Sequence, residues 1–230
     1  MKIAVCYSGQ YRAFDGWQEN HRDCLPEADY YYSTWKSEKR FVDISDMVYF
    51  DEPVVDYNLY SGSFAKKYGE HIQHKESEKK RLYTAAHQHI AHWNILKTLD
   101  DTYDVVIRMR YDMVLGAHKK QLLELCEHSH NTGQAIGVGN TNSADDANKK
   151  IHLTPFTEYR SNGTEFMLDF MTIHKPKNIA DLDELHAKKE LWPTNAGWWL
   201  LLSAPGYGHK NYRCGIQLAR KLGRKVKNGR

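Results

Sequence analysis

Two arginines and an aspartate at alternate positions, Arg108, Arg110 and Asp112, follow directly on the β-branched run Val105-Val106-Ile107. Alternate residues of a strand share a face, so the pattern presents two cations and a carboxylate together at the polar end of a buried strand. Guanidinium forks match phosphate oxygens, and a carboxylate is a ligand for a hard divalent cation. Such a set suits a diphosphate whose negative charge grows as it departs from a reacting carbon. A structural ion pair at a sheet edge uses the same residue types. What separates the two readings is whether other polar strand ends meet this one.

Several elements are arranged to bring that about. The apolar run Ile3 to Tyr7 leads into Ser8-Gly9-Gln10-Tyr11-Arg12, a tight turn with polar side chains. It has neither the GxGxxG spacing of a dinucleotide fingerprint nor the Gly-Lys-Ser/Thr of a P-loop. Asp15 to Cys24 is compatible with a helix. Asp29 to Trp35 is a second β-prone run with Trp35 at its tip, and Asp51 to Val55 reads as a third short strand with Pro53 near its start. Leu82, Ala86, Ile90, Trp93 and Leu96 recur every three or four residues and predict a helix. His87, His89 and His92 ride on it without the i, i+4 pair of a zinc helix, so they read as surface or core-edge residues.

Beyond the arginine strand, Lys119 to Glu127 reads as a short helix, Ala135 to Gly139 as a strand and Asn140 to Lys150 as a polar loop. Phe166 to His174 reads as a strand cut off by Pro176, with Asp169 close to the ligand edge. Asn178 is the expected N-cap of a helix whose inner face is Ile179, Leu182 and Leu185. Trp198 to Leu202 is a core element of open type. Strands alternating with helices, with polar residues at the strand ends, predict an α/β fold with a mostly parallel central sheet flanked by helices. Ligands of such sheets sit in the crevice beyond the carboxyl ends of the strands.

The bounds are consistent with one domain. The chain has 230 residues, 41% hydrophobic and 27% charged, enough for one sizeable core and cramped for two. The expected division is a domain over 1–215 and a basic tail over 216–230. The tail holds six Lys or Arg residues and no Asp or Glu. A formal charge of +3 without a concentrated basic face argues against a dedicated nucleic-acid binder. Cys6, Cys24, Cys126 and Cys214 are too far apart for a zinc knuckle or redox motif and read as reduced thiols. No run approaches the ~20 apolar residues of a membrane span. A cytoplasmic location is the expectation.

Together, Val5 to Arg12, Asp29 to Trp35, Asp104 to Val114 and Asp169-Phe170-Met171 followed by a helix and Glu190 resemble the small GT-A-type glycosyltransferases of viruses, phages and bacterial polysaccharide clusters. The resemblance covers most of residues 1 to 202, in the right order. It implies a single GT-A-like, Rossmann-like domain that takes a nucleotide-sugar donor, such as a UDP- or GDP-sugar, and transfers the sugar to a glycan or other hydroxyl acceptor. It implies a divalent metal, manganese or magnesium. The family's Asp-any-Asp metal motif falls on Arg110-Tyr111-Asp112, where Arg110 replaces the first carboxylate and leaves Asp112 as the metal ligand. By the same implication Ser8, Gly9, Gln10 and Arg12 contact the nucleotide, Trp35 lines the base or ribose pocket, and Arg108 and Arg110 hold the diphosphate. A general base takes the proton of the attacking hydroxyl in an inverting enzyme. Asp169 and then Glu190 are the candidates. A catalytically inactive GT-A-like domain that binds nucleotide or sugar is the alternative, and a nucleic-acid-binding protein ranks last.

Overall fold

A computed structural model gives the architecture. It describes residues 1–11, 22–23, 25–42, 44–54, 76–111, 113–114, 119–140, 154–156, 167, 171–187, 198, 201–202, 206, 208–214 and 217–218. Strand β1 is Ile3–Tyr7, β2 is Asp29–Trp35, β3 is Met47–Phe50, β4 is Val105–Met109 and β5 is Met113–Val114. They are followed by β6 at Ala135–Asn140, β7 at Thr154–Phe156, β8 at Met171–His174, β9 at His209–Cys214 and β10 at Gln217–Leu218. The helices are α1 at Glu76–Leu96, α2 at Lys119–Thr132 and α3 at Leu182–Ala187, with a 3-10 turn at Lys36–Phe41.

Eight strands form one sheet in the order β3-β2-β1-β4-β8-β6-β9-β7, and β5 pairs with β10 in a separate ladder. The left half, β3-β2-β1-β4, is parallel throughout. β8 runs antiparallel to both β4 and β6, β6 and β9 are parallel, and β7 is antiparallel to β9. The chain moves outward from β1 through β2 to β3, then returns by way of α1 to lay β4 on the other side of β1. The strand order therefore reverses at β1, and the crevice between the carboxyl ends of β1 and β4 is the topological switch point of the sheet.

Alternation of side chains divides the core into layers. Val5 and Tyr7 of β1, Val105, Ile107 and Met109 of β4, Ile136 and Val138 of β6 and Met171 and Ile173 of β8 pack with Leu122, Leu125 and Cys126 of α2. The opposite face puts Ala4, Cys6 and Val106 against Ile95 of α1. β1 and β4 are buried on both faces, which is why they read as continuous apolar runs. A further cluster joins Ala86 and Ala135 to Met167, Leu182, Trp198, Leu201 and Leu202, with Ile179 and Leu185 packed against it. Trp198, Leu201 and Leu202, the described residues of that core segment, are helical.

Four local expectations shift. The third strand lies at Met47–Phe50, just before the segment expected to form it, because the pairing to β2 runs from Tyr32↔Met47 to Trp35↔Phe50 and ends before Pro53, which has no N–H to donate. α2 extends past Glu127 to Thr132 and stops where Gly133 takes a positive φ of 74° and donates its N–H to the carbonyl of Ser129 at 2.9 Å. Asp181, rather than Asn178, caps α3: its carboxylate accepts from the N–H of Glu184 at 3.0 Å, while the Asn178 amide donates to the carbonyl of Gly133 at 2.9 Å. Gln217 and Leu218, within the segment read as a tail, form β10 opposite Val114 and Met113. Of the helix expected over Asp15 to Cys24, Arg22 and Asp23 are described and are helical, and the remainder lies outside the described residues. The loop over 141–150 lies outside them too.

Ile107 is fully buried in the α2-side cluster, whereas Val48 on the edge strand β3 is 39% exposed. Ile107→Ala is expected to lower unfolding free energy by about 3 kcal/mol, and Val48→Thr by less than about 0.5 kcal/mol. Urea denaturation of the two variants measures the contrast.

Candidate nucleotide-binding site at the strand ends

β1 ends at Tyr7, and its register with β4 sets Tyr7 beside Met109, so Ser8 and Arg110 are the first residues beyond neighbouring strand ends. The Ser8 N–H donates to the carbonyl of Met109 at 3.4 Å and pins the turn to β4. The Ser8 side chain is buried, and its hydroxyl has no hydrogen-bond partner among the described residues. Gly9 has φ of 104°, a conformation that side chains other than glycine's rarely adopt, and a Cβ placed on it would meet no described atom within 4 Å. Gly9 is itself buried, so the unpartnered hydroxyl lies beside backbone with room for a further group. Gln10 is exposed and Arg110 half-buried at the same edge.

Tyr111 turns to the other face. It is buried against Tyr7 and Tyr11, with ring centroids 5.4 and 5.2 Å away, and its hydroxyl donates to the carbonyl of Ser33 at 2.9 Å. The Ser33 hydroxyl in turn donates to the carbonyl of Tyr7 at 3.1 Å. Carbonyls near the ends of β1 and β2 are thus met by side chains. Burial holds the Tyr111 phenol well above its ordinary pKa and keeps it a donor.

The two arginines differ in burial, Arg108 being fully buried and Arg110 half-buried. Arg108 is fully buried beneath α1, where one guanidinium nitrogen donates to Gln88 Oε1 at 2.8 Å and its Cζ lies 4.6 Å from the centre of the Trp198 ring. Its place is the layer under the strand ends. Trp35 is also buried at the tip of β2, its ring 5.4 Å from that of His87. His87 Nε2 lies 3.4 Å from the carbonyl of Pro53 and 4.0 Å from Glu52, and burial lowers its pKa against the pull of both.

Arg12, Asp112, Asp169 and Glu190 lie outside the described residues. Of the residues next to them in sequence, Tyr111 and Met113 are described, and Met171, two positions after Asp169, pairs with Met109 at the end of β4. Because β8 is antiparallel, it is its beginning that reaches this edge. Among the described residues no three His, Cys, Asp or Glu side chains stand close enough to hold a metal ion. The described part of the site therefore supplies a cation, a hydroxyl and a glycine turn with room beside it, and no ligand set for a metal.

What the residue pattern did not reveal is a polar layer under the site. His89 and His92 are buried, and so is His174 of β8. His92 Nε2 is 2.9 Å from His174 Nε2, and His174 Nδ1 donates to the carbonyl of Lys175 at 2.8 Å. The rings of His89 and His92 meet Trp198 edge-on at 4.6 and 5.6 Å. The signal was available: His89 is three residues after Ala86, and His92 three after His89, at the spacing of the apolar stripe. Burial drives the pKa of His174 down to about 4, and burial with the charges of His174 and Arg108 drives that of His92 well below its usual value.

No protein-family model matches the sequence. No curated protein matches it either. Solved structures do match the fold. The 4-diphosphocytidyl-2C-methyl-D-erythritol synthase of Anaerococcus prevotii superposes over 99% of this chain and 94% of its own, at 8% identity and a TM-score of 0.55. The galactosyltransferase LgtC, solved with donor and acceptor sugar analogs, aligns over 92% of this chain and 73% of its own, at 10% identity and a TM-score of 0.40. The chain shares the overall α/β fold of the Anaerococcus synthase, a mostly parallel sheet flanked by helices as the sequence leads one to expect. No described helix is long and apolar enough to cross a membrane.

The histidine pair ties stability to pH. His174 binds a proton near pH 4 when folded and near 6.5 when unfolded, so the unfolded chain takes up more protons between those values. Its stabilisation is complete above about pH 6.5 and is lost as pH falls towards 4, by about 3 kcal/mol in all. Urea midpoints at pH 7, 5.5 and 4.5 should fall in that order. His174→Gln should flatten the slope.

Proposed function

We propose that the chain is a glycosyltransferase that binds a nucleoside-diphosphate sugar, a UDP- or GDP-sugar, at the ends of β1 and β4 and passes the sugar to a hydroxyl of a glycan or similar acceptor. The observation that carries this reading is the conjunction at the switch point: the unpartnered buried hydroxyl of Ser8 among the described residues, the open positive-φ backbone of Gly9, and Arg110 one residue beyond β4. Backbone and hydroxyl would receive the nucleotide, with Gln10 and Arg12 closing on it and the Trp35–His87 pair forming the far wall. Arg110 would meet the diphosphate directly, and Arg108 would hold the strand beneath it. The departing diphosphate gains charge, and a fixed guanidinium stabilises that charge at no cost of reorganisation.

The acceptor hydroxyl must lose its proton as it attacks the anomeric carbon. Asp169 is the first candidate for the base, since it precedes the strand whose beginning lies beside the end of β4; Glu190 is the second. A divalent cation, manganese or magnesium, would rest on Asp112 together with oxygens of the diphosphate, and Arg110 would supply the positive charge that the missing first carboxylate cannot recruit.

A second reading is nucleotidyl transfer, favoured by the likeness to the Anaerococcus synthase. It predicts release of pyrophosphate from a nucleoside triphosphate in the presence of a sugar phosphate or polyol phosphate. Glycosyl transfer predicts release of a nucleoside diphosphate from a nucleotide sugar. A binding-only domain would release neither, and Arg110 in the place of a metal-binding carboxylate is what keeps it in view.

UDP or GDP should raise the melting temperature, more so with manganese, and silence across both nucleotides and their sugars would overturn the proposal. Arg110→Ala should weaken nucleotide binding roughly tenfold to a hundredfold by titration calorimetry, the loss of one charge-assisted contact. Asp169→Asn should bind the nucleotide as tightly as the native chain and release no nucleoside diphosphate in a coupled assay.

A further inference from the structure

The strand pairings direct the basic end of the chain towards the candidate site. β8 runs antiparallel to both β4 and β6, and β9 runs parallel to β6, so β1, β4, β6 and β9 all end at the ligand edge. Their registers set Tyr7, Met109, Met171, Val138 and Tyr212 in one row across the sheet. β9 continues past that row to Cys214, and β10 follows at Gln217. β10 then pairs antiparallel with β5, Gln217 opposite Val114 and Leu218 opposite Met113. β5 leads the chain away from Asp112, so β10 leads it back.

The residues that follow are Ala219, Arg220 and Lys221, which lie outside the described residues. Covalent reach bounds their place. The Cα of Arg220 is at most about 7 Å from that of Leu218, and paired residues of an antiparallel ladder stand about 4.5 to 5.5 Å apart. On the other side of the ladder, Asp112 immediately precedes Met113, and Arg110 comes three residues before it. The two ends of the ladder therefore bring Arg220 and Lys221 to the stretch that joins β4 to β5.

We infer that Arg220 and Lys221 are further ligands of the donor diphosphate, meeting it together with Arg110. The inference rests on the reading of this edge as a nucleotide-sugar site, and it supplies charge that the described part of that site leaves short. A nucleoside diphosphate carries several negative charges, and Arg110 offers a single positive one. Cations gathered at one edge repel each other, and an anion between them turns that repulsion into attraction. Arginine grips phosphate oxygens as a fork, and lysine adds a compact point charge. Lys225 and Lys227 carry the same charge farther along the chain from the ladder, which separates a local contact from a general attraction.

Titration calorimetry with UDP and GDP compares the native full chain with two double variants, Arg220→Ala with Lys221→Ala and Lys225→Ala with Lys227→Ala. The first is expected to weaken binding of whichever nucleotide the native chain takes by roughly tenfold to a hundredfold, as loss of charge-assisted contacts does, and the second to leave it little changed. Equal weakening in both means a diffuse attraction and overturns the inference. Native binding that the first double variant keeps in full overturns this inference alone. A native chain that binds neither nucleotide overturns the reading of the site and this inference with it. If the first double variant does not fold, nitrogen-15 spectra of the native chain decide: a shift of the Arg220 Nε–H signal on adding the nucleotide, alongside that of the Gly9 amide, supports the contact, and a stationary Arg220 with a moving Gly9 removes it.

Discussion

The position of β1 between β2 and β4 is the constraint on which the rest of the molecule depends. Parallel pairing on both sides fixes Tyr7 beside Tyr32 and Met109, so the turn after β1 and the residue after β4 are forced to the same edge at the same height. Neither strand can slip by one residue without exchanging its α1-facing and α2-facing side chains, and both faces are buried. Ser8 and Arg110 therefore owe their proximity to apolar packing some distance beneath them. Val5, Val105 and Ile107 do more to place the candidate site than any polar contact within it.

The layer below the strand ends is unusual in chemistry and conventional in purpose. A guanidinium, an amide, three imidazoles and an indole fill space that valine and leucine fill elsewhere in the sheet. Each polar contact is directional, so α1, β4, β8 and the helical residues around Trp198 can meet in only one arrangement. Apolar packing tolerates sliding and repacking; a guanidinium facing an indole and bonded to one amide does not. The acid sensitivity of the histidine pair is the cost of that specificity.

Much of this was legible in the residues, and the failures share one cause. β1, β2, β4 and α1 announce themselves through local patterns: continuous apolar runs for strands buried on both faces and a three-four spacing for the helix. The polar turn after β1 and the arginines after Ile107 are local too, so the candidate edge could be read. The direction of β8 is decided by its partners, and nothing within Met171–His174 encodes whether it runs with or against β4. Alternation put Arg108 on the same face as Val106, but it carries no depth, and only the placement of α1 shows that Arg108 is covered. Asn178 and Asp181 are both good caps by type; the carbonyl of Gly133, distant in sequence, claims the first.

The thiols of Cys6 and Cys126 lie in these same buried layers. Cys6 is held between β2 and β4 on the α1 face, Cys126 faces the sheet from α2, and burial pushes the first far up and the second to about 12. Neither can react with an alkylating reagent while the sheet is closed, because the reactive species is a thiolate in contact with solvent. The molecule thus carries two built-in clocks, one on each face of its central sheet. Their modification rates report how often each layer opens, and whether the two faces come apart together or in turn.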